Sequence, residues 1–251
     1  MADTSNTARR AVFSPLEAGG RVDAVIDRLE GAISLGLITH GEQLPRETEL
    51  ASALGVSTLT VREALAQLRS QGLVETRRGR GGGSFANAPV DWDQQRSGHR
   101  LQALGAYELR DLGDLTIAIF GMAARRAAER ASDEQITRLD SLASAMAGAQ
   151  TPFARRQADG RFQVEVAASA QSVRLATTIM SLQTEYSDLF WIEPPADEDT
   201  ERFHRRVVES HRLIVDAIRL RDPILARNQA EERAELGVER LLNLYYLLTL
   251  G

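Results

Sequence analysis

Between Arg21 and Leu68 the apolar residues recur at three- and four-residue spacing. Val22, Val25, Ile26, Leu29 and Ile33 form one stripe that stops near Gly36, which predicts an amphipathic helix from Arg21 to Ser34. Two shorter runs follow, Leu50 with Leu54, broken at Gly55, then Val61, Leu65 and Leu68, closed at Gly72. Two short helices across a tight glycine-containing turn make a helix-turn-helix. Ser57 is placed to cap the second helix, so Thr58, Thr60 and Arg62 stand near the end that enters a major groove. After Gly72 the pattern changes. Leu73 to Thr76 predicts a short strand, Arg77-Arg78-Gly79-Arg80-Gly81-Gly82-Gly83 a basic hairpin tip, and Ser84-Phe85 the return. A helix-turn-helix followed by a basic, glycine-rich hairpin predicts a winged helix that holds DNA, spanning residues 21–87.

On either side of this stretch the pattern weakens. Residues 1–20 are polar and predict a flexible arm. Residues 88–105, rich in Gln, Ser and Gly, show no sustained periodicity and predict a linker. From Ala106 to Gly251 the pattern is helical without alternating strands. Ser132 with Gln135 as a capping box, Thr151-Pro152, Ser172, the Pro194-Pro195 loop with its acidic Asp197-Glu198-Asp199, and Asp222-Pro223 divide it into about six helices. The expected fold is mainly α, a winged helix followed by a helical bundle.

Composition narrows the chemistry. The 251 residues suffice for one small DNA-binding domain and one larger domain with its own core. Cysteine is absent, which removes disulfides and thiol chemistry. The N-terminus lacks the apolar stretch of a signal peptide, and no apolar run approaches the roughly 18 residues of a membrane span, so a cytoplasmic protein without membrane partners is expected. The net charge of −5 is compatible with a local basic tip rather than a nucleic-acid coat. Every basic side chain is Arg, the better bidentate partner for phosphate, guanine and carboxylate.

The segments LPRETELASALGVS, TVREAL and GLVETRRGRG resemble, in order and without gaps, the winged-helix signature of the GntR family of bacterial transcription regulators. The second half resembles the FCD effector-binding domain of its FadR subfamily: DLTIAIFGMAARRAAERASDEQ is similar to the first helix and the start of the second, ADGRFQVEVAASAQS to the central helix, and ESHRLIVDAIRLRDPILARNQAEERAEL to the last two. The resemblance implies a homodimer reading a palindromic operator in double-stranded DNA, its affinity modulated by a small carboxylate, with repression as the expected sense. By the same resemblance, Arg62 is expected at a phosphate or a base edge, and Arg78 with Gly79 at the wing tip, beside Arg77 and Arg80. Thr58 and Thr48 replace arginines common in the family, so a different operator is expected. Arg46 is a candidate phosphate contact that compensates for them.

In many members of that subfamily an Asp and three His residues hold a divalent metal. Here Asp159 and His211 match, but Gln163 and Arg233 stand where the other imidazoles are usual. Asp159 and Gln163 lie at i and i+4 on one helical face, so a shared pocket survives. A guanidinium has no lone pair to give a cation, and the remaining donors make a poor transition-metal site. The expectation is therefore no metal or other cofactor, with Arg233 either gripping an anionic effector or pairing with Asp159; if a metal binds after all, Asp159 and His211 are its ligands. Thr116 and Phe120, where the family commonly has Arg and Glu, complete the candidate effector set. Ordinary core roles for Gln163 and His211 remain the alternative. His40, His99 and His204 sit at loop-like or polar positions and are expected to be exposed. Two other functions stay open: a constitutive DNA binder whose bundle only dimerises and, remotely, an enzyme using Asp159, His211 and Glu209, although no nucleophile motif, P-loop or dinucleotide fingerprint is present.

Overall fold

The computed structural model describes residues 7–16, 22–79, 81–87, 94–193 and 199–250, which fall into two units, 1–91 and 92–251. The first contains α1 (Thr7–Val12), α2 (Val22–Ser34), α3 (Glu47–Leu54), α4 (Thr58–Ser70), β1 (Val74–Arg77) and β2 (Gly83–Ala86). The stripe read from the sequence is its core: Val25, Leu29, Ile33, Leu50, Leu54, Val61, Leu65 and Leu68 are buried. Each such side chain stabilises the fold by roughly 1.5–3 kcal/mol relative to exposure. Gly55 closes α3 at φ 70°, ψ 32°, a left-handed conformation that costs glycine little, and so sets the tight turn into α4.

Residues 7–16 are not the flexible arm expected. In α1 the side chains of Ala8, Ala11 and Val12 are buried. Arg28 Nη1 donates to the Ala11 carbonyl at 2.8 Å, and the Leu16 amide donates to the Leu54 carbonyl at 2.9 Å. Three small apolar residues in a polar stretch carry too weak a period to announce a helix, and it forms because α2 supplies a surface for them. The rest of the expected arm lies outside the described residues.

The hairpin is antiparallel, pairing Val74 with Ala86, Glu75 with Phe85, Thr76 with Ser84 and Arg77 with Gly83. Its second strand is also held from the other side, because the Leu44 amide donates to the Ser84 carbonyl and the Ala86 amide to that of Glu42, both at 2.9 Å.

The second unit is a bundle of six helices among the described residues: α5 (Gln94–Arg130), α6 (Asp133–Gly148), α7 (Pro152–Ser169), α8 (Val173–Phe190), α9 (Asp199–Arg219) and α10 (Pro223–Leu250). The expected caps hold them. Ser132 and Gln135 form a reciprocal capping box, the Thr151 and Ser172 hydroxyls accept amides of the first turns of α7 and α8, and Asp222 Oδ1 accepts the amides of Ile224 and Leu225. Of the Pro194–Asp199 loop, residues 194–198 lie outside the described set.

α7 is the central helix, with Phe162, Val164, Val166, Ala167 and Ala168 buried on several sides. α5 packs along α10, closely enough that a Cβ on Gly113 would come within 2.5 Å of Val238 Cγ2. The helix starts earlier than the sequence suggested: residues 94–104, expected as linker, are helical up to an interruption at Gly105 (φ 75°, ψ 153°). Long-range contacts decide this. Ser97 Oγ donates to Asp188 Oδ2 at 2.7 Å, Arg100 Nη1 to Asp188 Oδ1 at 3.2 Å, and Gln102 Nε2 to the Leu248 carbonyl at 2.5 Å.

Candidate nucleic-acid interface and effector site

The helix-turn-helix presents α4 by its N-terminus. Ser57 Oγ accepts the Thr60 amide at 3.0 Å and lies 2.8 Å from Thr60 Oγ1, which fixes the first turn. Thr58 and Thr60 are half-buried there, and Arg62 is exposed one turn on. Arg62 does not stand alone: its Nε and Nη2 lie 3.1 Å from Glu47 Oε2 of α3. An exposed pair of this kind contributes at most about 1 kcal/mol and is readily exchanged for another anion. Arg46 is exposed just ahead of α3, where its backbone amide donates to Glu49 Oε2.

In the wing, Arg77 is drawn back from the tip. Its guanidinium pairs with Glu75 at 2.6 Å and lies over the Phe85 ring at 4.3 Å. Arg78 and Gly79 are exposed at the tip, and Arg80 lies outside the described residues.

The second candidate site is built around Asp159, which α7 buries to 1% exposure. A carboxylate in that position must be fully partnered. Oδ1 accepts from His211 Nε2 of α9 at 3.0 Å and from Gln163 Nε2 at 3.1 Å, while Oδ2 accepts from Arg233 Nη2 of α10 at 2.6 Å. Burial alone would raise the Asp159 pKa. The Arg233 charge, with the hydrogen bonds from His211 and Gln163, outweighs it and holds the carboxyl below the usual carboxylate range. For His211 burial dominates and pushes its pKa down despite Asp159, so the imidazole is neutral at pH 7. Its Nε2 carries the proton that the carboxylate accepts. The ring stacks on Phe162 at 3.8 Å.

The cluster extends to residues that the sequence did not single out. Gln183 Nε2 of α8 donates to Gln163 Oε1 at 2.9 Å, and Tyr186 on the same face shares a hydrogen bond with Thr116 of α5. The available signal was a polar pair at i and i+3 on an otherwise apolar stripe. Thr116, Gln163, Gln183, Tyr186 and Arg233 together form the polar wall of a cavity of about 10 Å³, on the scale of one water molecule, closed by apolar side chains of α5, α8 and α10. No acidic side chain is among the described residues lining it. Arg233 is 2% and Gln183 1% exposed, and Arg233 Nε and Gln183 Oε1 have no hydrogen-bond partner among the described residues. Phe120 is buried but does not line this cavity, and Asp159 and His211 likewise are not part of its wall.

These donors do not fit a divalent metal. Both Asp159 oxygens are engaged, one of them by a guanidinium that already supplies positive charge. Among the described residues no group of three or more His, Cys, Asp or Glu side chains is arranged to hold a cation.

The remaining histidines divide. His40 and His99 are exposed as expected, but His204 is 7% exposed, its Nε2 donates to the Met146 carbonyl at 2.9 Å, and its ring meets Trp191 edge-on. Its position in a polar segment concealed a place on the apolar face of α9. No helix among the described residues is long and apolar enough to cross a membrane.

Comparison with known proteins bears on both sites. Residues 21–82 match the family described as bacterial regulatory proteins, gntR family, and residues 111–235 match the FCD domain. The chain is 37% identical over 238 residues to a Mycobacterium gastri protein named as the HTH-type transcriptional regulator RmpR, covering 94% of this chain and 84% of that one. It is 30% identical over 208 residues to an Escherichia coli K12 protein named as an L-lactate dehydrogenase operon regulatory protein, covering 78% and 76%. Among solved structures, Escherichia coli McbR/YncC matches with a TM-score of 0.55 at 19% identity, over 90% of this chain and 99% of that one, which speaks to the fold. With a winged helix at one end and an FCD domain at the other, the chain belongs to the GntR family and is a ligand-modulated, DNA-binding transcription regulator.

Proposed function

We propose that the protein acts in the cytoplasm as a homodimeric repressor, its two winged helices on the half-sites of a palindromic operator, released when a small carboxylate enters the cavity beside Arg233. A two-fold reader suits a two-fold site. Thr58, Thr60 and Arg62 read the major groove behind the Ser57 cap, and threonine methyls and hydroxyls give softer base preference than a bidentate arginine. Arg46, Arg77, Arg78 and Arg80 supply phosphate charge, and Gly79 lets the wing approach the minor groove.

The observation that carries the effector reading is Arg233, a buried guanidinium on the cavity wall whose Nε is unpartnered among the described residues. A carboxylate there gains a charge-assisted hydrogen bond. An occupant larger than a water separates α5 from α10 where Gly113 lies on Val238, and α5 is the helix into which the connection from the winged helix runs. The effector shifts the equilibrium only as far as it binds one arrangement better than the other. A tenfold change in operator affinity requires about 1.4 kcal/mol of such coupling.

The test combines metal analysis of the purified protein with thermal shifts across divalent cations and small carboxylates. The expected outcome is no stoichiometric metal and a rise in Tm with at least one carboxylate that disappears in Arg233→Ala. Stabilisation lost on chelation would overturn direct anion capture, and the absence of any carboxylate response would favour a constitutive DNA binder.

A further inference from the structure

The cavity wall makes a second demand on its ligand, and it follows from the order of the amides. Asp159 can only accept, so Gln163 must turn its NH2 toward Oδ1, at 3.1 Å. That leaves Gln163 Oε1 to accept from Gln183 Nε2, at 2.9 Å. Gln183 is thereby fixed with its own carbonyl, Oε1, left over, buried and without a partner among the described residues. A negative charge on α7 thus dictates, through two amides, an unpartnered acceptor on a residue that lines the cavity, as does Arg233, whose donor Nε is likewise unpartnered among the described residues.

We infer that Gln183 makes the site selective for a short-chain carboxylate that carries a hydroxyl group, the carboxylate facing Arg233 and the hydroxyl donating to Gln183 Oε1. An ammonium donor fits less well. No acidic side chain is among the described lining residues to balance it, Asp159 stands outside that lining and already accepts three hydrogen bonds, and Arg233 already brings a positive charge to the site. A parent acid without the hydroxyl leaves the Gln183 carbonyl desolvated and unpaired, the situation that makes polar sites discriminate sharply. The closed cavity of about 10 Å³ is on the scale of one water molecule, so a carboxylate enters only where α5 and α10 move apart, and the smallest hydroxy acids require the least movement.

This inference rests on the assignment of Arg233 as the anion contact, and the two can fail separately. Titration calorimetry on the full-length protein would compare propanoate and butanoate with their 2-hydroxy, 3-hydroxy and 2-amino counterparts. At least one hydroxy acid is expected to bind tenfold or more tightly than both its parent acid and its amino counterpart. In Gln183→Met that advantage is expected to fall below twofold while the parent acid still binds. If Gln183→Met does not fold, the ranking on the unaltered protein decides alone. Parent and hydroxy acids of equal affinity would overturn the Gln183 inference and leave Arg233 standing. Absence of binding by every carboxylate, or binding unchanged in Arg233→Ala, would overturn both.

Discussion

Glu165 shows what burial does to a single carboxyl in this bundle. It is 2% exposed on α7, and its nearest cation, Arg138 of α6, is 3.6 Å away. Burial pushes its pKa up, and Arg138 offsets only part of that. The folded-state pKa therefore lies above the unfolded value of about 4.3, and the folded protein binds the proton more readily. On account of this group, stability rises as the pH falls from neutrality toward 4. Glu165→Gln is expected to raise Tm at pH 7 and to lose that advantage near pH 4, as followed by thermal denaturation across that range. Asp159 on the same helix behaves oppositely because two cationic or donating side chains reach it from other helices. Both residues were plain in the sequence, but only Asp159 stood out there, through the family resemblance. Their contrasting environments depend on which helices face them, α6 with Arg138 for Glu165 and α9 and α10 for Asp159, and local spacing does not reveal that.

Among the elements, the winged helix was the most legible. The α2 stripe, the Gly55 turn, the Ser57 cap and the basic hairpin are each set by neighbours within a few residues, and the helices and strands lie within a residue or so of where the pattern put them. The cap is also open to a direct test. Ser57→Ala is expected to cost about 1 kcal/mol in chemical denaturation and to loosen the first turn of α4, where Thr60 relies on the same hydroxyl. Helix α1 and the first part of α5 were illegible for a common reason. Neither has enough apolar positions to fold by itself, and each is held by partners far along the chain: Leu54 and Arg28 for the former, Asp188 and Leu248 for the latter.

At the scale of the molecule, each of the two units has its own buried core. Residues 1–91 are therefore expected to fold as an isolated fragment, giving a cooperative melt and a helical circular dichroism spectrum. On the dimer proposal, that fragment should bind operator DNA more weakly than the full chain, since two linked winged helices gain from effective concentration. A gel-shift titration of both at one salt concentration makes the comparison, because phosphate contacts make any affinity salt-dependent. Loss of folding in the fragment would show that the first unit borrows stability from the second.

Local chemistry alone was enough for the winged helix, the caps of the bundle and the pairing of Asp159 with position 163 on one helical face, because all of these depend on spacing within one or two turns. The partners of Asp159 across α9 and α10, the burial of His204 and the place of Gln183 on a cavity wall depend on which helix faces pack together. Packing joins residues 20 to 74 positions apart, through the burial of apolar faces that are compatible with many arrangements until the whole bundle closes. The sequence contained every residue of the candidate effector site, and the tertiary structure decided which of them share a hydrogen bond and which are left with one to offer.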